Sequence, residues 1–173
     1  SRGERSERRM KKWYWLAAAV VAADQLVKWL SSALGRDVLL IPGVLNFTYA
    51  ENTGMAFSML SGHSWLLGVF SAAAIALGWW ILKGYRLGPV SRIAAMLMLG
   101  GAVGNMIDRL FRGYVVDMFE ALFVEFAVFN VADAALTIGA GLMAASLLFC
   151  PEDWKPKKQG GTKDGESADR SDG

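Results

Sequence analysis

Four runs of about twenty residues, Trp13 to Leu34, Ser64 to Leu82, Ile93 to Leu110 and Val131 to Cys150, are apolar over almost their whole length. That is the length a helix needs to cross about 30 Å of hydrocarbon. Charge is gathered elsewhere: residues 13–151 hold seven of the 18 basic and eight of the 16 acidic side chains, and the rest lie in the two polar ends. A soluble domain of 173 residues would carry far more charged surface. An apolar content of 54% also rules out a disordered chain, a collagen or a coiled coil. The expected fold is therefore an all-α membrane protein, a four transmembrane helix bundle over residues 13–150. A basic tail, residues 1–12, precedes it, and a polar tail, residues 151–173, is expected to be disordered. The length suits one domain.

Basic residues set the expected orientation. Arg8, Arg9, Lys11 and Lys12, then Lys83, Arg86 and Arg92, then Lys155, Lys157 and Lys158 lie on alternate connections, so both termini are expected to be cytoplasmic. The first run carries Asp24 and Lys28 and no small-residue cleavage site after it, and is read as a retained span rather than a signal peptide. The segments Gly35 to His63 and Phe111 to Asn130 then face outward. Val38 to Ala50, with branched residues around Pro42-Gly43, predicts a small extracytoplasmic β element. Tyr114 to Phe129, with Asp117, Glu120 and Glu125 among four Phe, predicts an interfacial loop or helix.

Several chemistries are excluded or weak. One Cys and one His, Cys150 and His63, supply neither a disulfide nor a structural zinc site, so no metal and no cofactor are expected. A net charge of +2 without a basic stripe predicts no nucleic-acid partner. A Ser/His mechanism could draw only on His63 with Ser58, Ser61 and Ser64, whose geometry the sequence does not fix. There is no phosphate-binding loop, dinucleotide fingerprint or HExxH.

The depth of the polar residues is more informative, because ionisable groups inside spans are costly and usually functional. At 1.5 Å per residue, Asp24 lies about 18 Å beyond Lys12, and Asn105 and Asp108 lie about 20 and 24 Å beyond Arg92. Asn130 and Asp133 open the fourth run from its outer end. Three helices thus bring Asp24, Asn105, Asp108, Asn130 and Asp133 to one level, that of the outer leaflet. Asp24 with Lys28, Asn105 with Asp108, and Asn130 with Asp133 share helical faces. Gly100 and Gly104 allow a neighbouring backbone to approach. Paired carboxyls can share a proton and activate water, as in an aspartic hydrolase. On these residues alone a small membrane permease or proton-relay protein stands level with a protease. A lipid-binding assembly factor is a third class. Asp24 with Lys28, and Asp108 with Arg109, could equally be structural ion pairs.

The pieces ADQLVKW (Ala23 to Trp29), NTGMAFS (Asn52 to Ser58), GGAVGNMIDRLFRGYVVDMF (Gly100 to Phe119) and FNVADA (Phe129 to Ala134) resemble, in order and spacing, the bacterial lipoprotein signal peptidases, or signal peptidase II. The resemblance covers essentially residues 13–150. It implies an aspartic endopeptidase whose catalytic carboxylates are Asp117 and Asp133, one protonated and one ionised in an order the sequence leaves open. The residue pattern alone does not prefer that pair over Asp108 with Asp133. Asp24, Lys28, Asn52, Gly54, Asn105, Asp108, Arg109, Asn130 and Ala132 match the family's supporting and substrate-binding positions. Met55 stands where the family usually has Ala, and Ala134 where Ser is common. The implied substrate is a prolipoprotein whose cysteine bears diacylglycerol, cut just before that cysteine. The implied setting is the bacterial inner membrane, with membrane lipids as partners, a monomer, and the active site near the outer leaflet. The loops Asn46 to His63 and Tyr114 to Phe129 are expected to open and close over the pocket.

Overall fold

The computed structural model describes residues 12–54, 63–125 and 128–156. Met55, Ser58, Ser61, most of the basic N-terminal tail and the C-terminal tail beyond Pro156 lie outside the described residues. Four helices are described: α1 (Tyr14–Leu34), α2 (Ser64–Leu82), α3 (Pro89–Phe111) and α4 (Val131–Phe149). Strands β1 (Val38–Ile41) and β2 (Leu45–Asn52) follow α1, β3 (Tyr85–Leu87) follows α2, β4 (Val115–Ala121) follows α3, and β5 (Trp154–Pro156) comes last.

Three helices, α2, α3 and α4, are long and apolar enough to cross a membrane. α1, with Asp24, Gln25 and Lys28 in its middle, is not among them. Its inward face explains why: Ala17, Asp24, Lys28 and Ser31 are buried, while Trp15, Leu26, Trp29, Leu30 and Leu34 are exposed. The same inversion runs through the bundle. Asp24, Lys28, Ser91, Asn105, Asp108, Asn130 and Ser146 are buried while Phe70, Leu77, Trp79, Trp80, Ile138 and Leu148 face out. In water the inverse arrangement is favoured; against lipid, apolar side chains go out and polar groups pair inside.

Glycines fix the packing around α3. A Cβ on Gly100 would lie 2.8 Å from Ala17 O, and one on Gly104 would lie 2.7 Å from Asp24 Oδ2, so α1 is seated directly on that stripe. Gly101, one residue round, would meet Ala132 O of α4 at 2.5 Å. These contacts run α1 parallel to α3 and, with Gly139 against Ala94 and Met98, α4 antiparallel to both. β1, β2 and β4 consequently gather at one end of the bundle, β3 and β5 at the other.

At the first end the strands form an antiparallel sheet in the order β1-β2-β4. The Val38 to Ala50 reading is borne out as two strands. The interfacial loop or helix is not: Val115–Ala121 is a strand pairing β2 from Asn52↔Val115 through Ala50↔Asp117 to Leu45↔Ala121. The acids in this segment made it look like a surface element. In fact Val115, Val116, Asp117 and Met118 are all at most 3% exposed, covered on both faces as an interior strand is. The two expected flaps are adjacent strands of one sheet over residues 45–52 and 115–121, tied together by its ladder, and their residues 55–62 and 126–127 lie outside the described residues. Ser31 Oγ ties the sheet to α1 by donating to Thr48 O at 2.7 Å.

At the other end, residues 151–156 were expected to begin a disordered tail. They form a 3₁₀ turn, Pro151–Asp153, and a strand antiparallel to β3. Asp153 Oδ2 accepts from Ser91 N at 3.1 Å, capping the first turn of α3 from 62 residues away. With Pro89 at its first position, α3 starts earlier than the apolar run beginning at Ile93 predicts.

Candidate active site

Asp133 is placed by the start of α4. Asn130 is the N-cap: its Oδ1 accepts from Asp133 N at 2.8 Å, and its own backbone N–H donates to Asp133 Oδ2 at 3.3 Å, a reciprocal capping box. The half-buried carboxylate therefore sits at a helix N-terminus, where negative charge is favoured. Asn105, from α3, donates Nδ2 to Asp133 Oδ1 at 2.7 Å.

Asp117 is placed by the sheet. It lies in mid-strand opposite Ala50, 3% exposed. Asn130 Nδ2 donates to its Oδ1 at 2.6 Å and Asn52 Nδ2 to its Oδ2 at 3.2 Å. Asn52 is held in that sense because its Oδ1 accepts from Gly54 N at 3.0 Å, leaving the amino group for Asp117. One residue, Asn130, thus hydrogen-bonds both carboxyl groups, with its side chain on Asp117 and its backbone on Asp133. Burial first, and then the negative charge of Asp133, push the Asp117 carboxyl from its ordinary 3.8 up to about 6, against the opposing effect of Asn52, Asn130 and Lys28.

Behind the pair lies a fully buried ion cluster. Lys28 Nζ is 2.7 Å from Asp24 Oδ2 and 2.8 Å from Asp108 Oδ2, with all three side chains 0% exposed. The expected Asp24–Lys28 pair is present. Asp108 pairs with Lys28, and with Arg112 at 3.4 Å, rather than with Arg109. Arg109 is half-buried. Its buried Nε has no hydrogen-bond partner among the described residues, while its charge interacts with Asp133, Asp117 and Asp108. Ala132 is completely buried under α3, and its N–H donates to Asp24 Oδ1 at 2.9 Å.

Asp24, Lys28, Asn52, Gly54, Asn105, Asp108, Asn130, Ala132 and Asp133 therefore join one hydrogen-bonded network that includes Asp117. Arg109 reaches it through charge alone. Gln25 was missed. Its Nε2 donates to Asp108 Oδ1 at 3.1 Å and to Asp24 Oδ2 and Gly104 O at 3.3 Å, and an amide beside Asp24 in an apolar run was the signal. The capping box was missed too, and Asn-x-x-Asp ahead of an apolar run was its signal. The Ser/His alternative finds no support among the described residues: Ser64 Oγ is buried with no hydrogen-bond partner, and His63 is exposed. No three His, Cys, Asp or Glu side chains among the described residues gather in a way that could hold a metal ion.

A family model described as signal peptidase (SPase) II matches residues 16–149. A lipoprotein signal peptidase of Geobacillus kaustophilus is 42% identical over 145 residues, covering 79% of this chain and 93% of that protein. One from Streptococcus pyogenes serotype M1 is 40% identical over 157 residues, covering 87% and 99%. A solved structure described as a bacterial membrane enzyme superposes with a TM-score of 0.76 at 29% identity, covering 86% of this chain and 94% of that one. The chain belongs to the signal peptidase II family, and is a multi-pass membrane protease.

Proposed function

We propose that this protease hydrolyses the peptide bond just before a diacylglyceryl-modified cysteine in prolipoproteins, with Asp117 and Asp133 as the catalytic pair. The observation that carries this is Asn130, which hydrogen-bonds both carboxyl groups at once, with its side chain on Asp117 and its backbone on Asp133. Two carboxylates joined through one residue, with the charge of Asp133 felt by Asp117, do not both ionise readily, so one proton is shared. Asp117, buried and pushed up to about 6, holds it in the active form that prevails below about that pH. Asp133, at the helix N-terminus with two N–H donors, is the base.

The steps follow from those roles. A water between the carboxyls gives a proton to Asp133 and its oxygen adds to the scissile carbonyl carbon. Asp117 gives its proton to the carbonyl oxygen. The tetrahedral intermediate collapses as the C–N bond breaks: the proton on Asp133 goes to the leaving amine of the lipidated cysteine, and the hydroxyl proton returns to Asp117. Arg109, whose Nε has no protein hydrogen bond among the described residues, is available to a substrate carbonyl.

All four helices span the inner membrane, the polar face of α1 being turned into the bundle and its apolar face to lipid. The basic segments put both termini in the cytoplasm and the three-stranded sheet at the outer leaflet. Exposed Leu39, Leu40, Ile41 and Val44 adjoin Leu122, Phe123 and Val124 through the Leu122 N to Val44 O bond of 2.9 Å, an apolar rim fitted to that depth. There the substrate's acyl chains anchor the scissile bond, and their binding energy orients it. The chain acts as a monomer.

The test is electrophoresis of a lipidated precursor before and after incubation in detergent. The protein should shorten it, and Asp117→Asn or Asp133→Asn should each abolish the cut without unfolding. Full activity in either variant refutes the pair. Proton or solute movement across sealed vesicles without proteolysis would favour a permease instead.

A further inference from the structure

The buried cation stands at the meeting point of the contacts that reach the two carboxyl groups. An ammonium has three N–H donors and no acceptor. Lys28 Nζ is surrounded by three acceptors: Asp24 Oδ2 at 2.7 Å, Asp108 Oδ2 at 2.8 Å and Asn105 Oδ1 at 3.1 Å. Each of them makes a second contact that leads to the pair. Asp24 Oδ1 accepts from Ala132 N at 2.9 Å, one residue before Asp133. Asp108 Oδ2 accepts from Val116 N at 3.3 Å, one residue before Asp117. Asn105 must present its oxygen to the ammonium, which turns its amino group to Asp133 Oδ1 at 2.7 Å.

We infer that Lys28 is a positioning residue that sets the relative placement of Asp117 and Asp133, acting through Asp24 on α4, through Asp108 on β4 and through the amide orientation of Asn105. The inference rests on those two aspartates being catalytic. A purely stabilising role explains the cluster poorly, because a buried ion group is often matched or surpassed in stability by neutral residues of similar volume, and ionic groups in a span are costly. What neutral residues cannot supply is a donor-only centre. An apolar side chain at position 28 leaves only Asn130 Nδ2, at 3.1 Å, to hold the Asn105 oxygen in place, and an amide oxygen turned to Asp133 repels it. Misplacement of a reacting group by about 1 Å costs on the order of 100-fold in rate.

The test uses the full chain in detergent with a lipidated precursor. Lys28→Met alone takes the cation from two fully buried carboxylates, leaving Asp108 only Arg112 at 3.4 Å, and is destabilising, so the informative variant is the triple Lys28→Met, Asp24→Asn, Asp108→Asn. It removes the charges together and keeps acceptors for Ala132 N and Val116 N. Expected is a folded protein with kcat about 100-fold lower and KM within about threefold of the parent. Adding Asn105→Ala to it should lower kcat no further, because Lys28 and Asn105 act in series. A folded triple variant with parental kcat, or losses that multiply independently, overturns the inference. Should the triple variant not fold, Asn105→Asp decides: it keeps an acceptor for Lys28 but sets an acceptor against Asp133. A drop of about 100-fold in kcat is expected, and an unchanged kcat overturns the inference. Asp117→Asn and Asp133→Asn separate the two levels of the account. If either retains full activity, the catalytic reading fails. If both are inactive while the triple variant is fully active, only the role of Lys28 fails.

Discussion

Replacing Asp117 by Asn should abolish cleavage and at the same time stabilise the fold. The carboxyl is 3% exposed and is pushed from 3.8 up to about 6 by burial and by the charge of Asp133. At neutral pH that displacement corresponds to about 3 kcal/mol of destabilisation by the ionised group. An Asn side chain carries no charge but has only one oxygen for the two amide donors, Asn130 Nδ2 and Asn52 Nδ2, that Asp117 now satisfies. Keeping the shorter contact and losing the other costs about 1 kcal/mol. The net gain is about 2 kcal/mol, a rise of several degrees in Tm. Its pH dependence has a definite sign. A raised carboxyl pKa means that the folded state binds the proton more tightly than the unfolded chain, so the parent loses stability as pH rises from about 4 to about 6 and the loss is complete above that. The Tm advantage of Asp117→Asn should therefore be full near pH 8 and vanish near pH 4. Thermal unfolding of both proteins in one detergent across that range measures it, and the difference cancels every titration common to both. A variant less stable than the parent at pH 8, or an advantage that grows in acid, refutes the reasoning.

Other outcomes follow from the same geometry. With Asp117 as the protonated partner, kcat/KM for a lipidated precursor should fall as pH rises through about 6, and the limb in kcat should lie higher, since bound substrate excludes water from the carboxyl. Asn52→Ala removes a hydrogen bond that favours the ionised form, so it should move the kcat/KM limb upward in a pH series. Asn130→Ala takes away the cap and the bridge between the carboxyls, so thermal unfolding should show about 1 to 2 kcal/mol lost and turnover should show at least 100-fold lost. Gly88→Ala puts a Cβ 1.8 Å from Asp153 Oδ1 at the opposite end of the bundle, breaking the cap on α3. It should lower Tm by an amount equivalent to about 1 kcal/mol while kcat stays within twofold, the reverse of the Asn130 pattern.

The sequence was most legible where distance along the chain is distance in space. A helix rises by a fixed amount per residue, so counting from Lys12 and Arg92 was enough to bring Asp24, Asn105 and Asp108 to the level of Asn130 and Asp133, and the structure joins all five in one network. Helical spacing likewise gave the Asp24–Lys28 pair and the Gly100–Gly104 seat for α1. Asp117 was not legible in that way. Its position depends on the register of β4 against β2, where Ala50 stands opposite Asp117 across a bulge, and a strand flanked by acids and four Phe reads locally as an interfacial segment. Only the resemblance singled it out. The 151–156 segment failed for the same physical reason, since its place is set by Asp153 capping a helix 62 residues earlier. Asn130 was placed beside Asp133 at the outer end of the fourth run, but the capping box that joins them and the bridge to Asp117 emerged only in three dimensions.

The most direct measurement is a crystal structure of the protein with a non-cleavable peptide in which a statine-type hydroxyl replaces the attacking water. The account predicts that hydroxyl between one carboxyl oxygen of Asp117 and one of Asp133, about 3 Å from each, with Asn130 still bonded to both. A bound inhibitor whose hydroxyl contacts neither carboxyl, or contacts Ser64 or His63 instead, would contradict it.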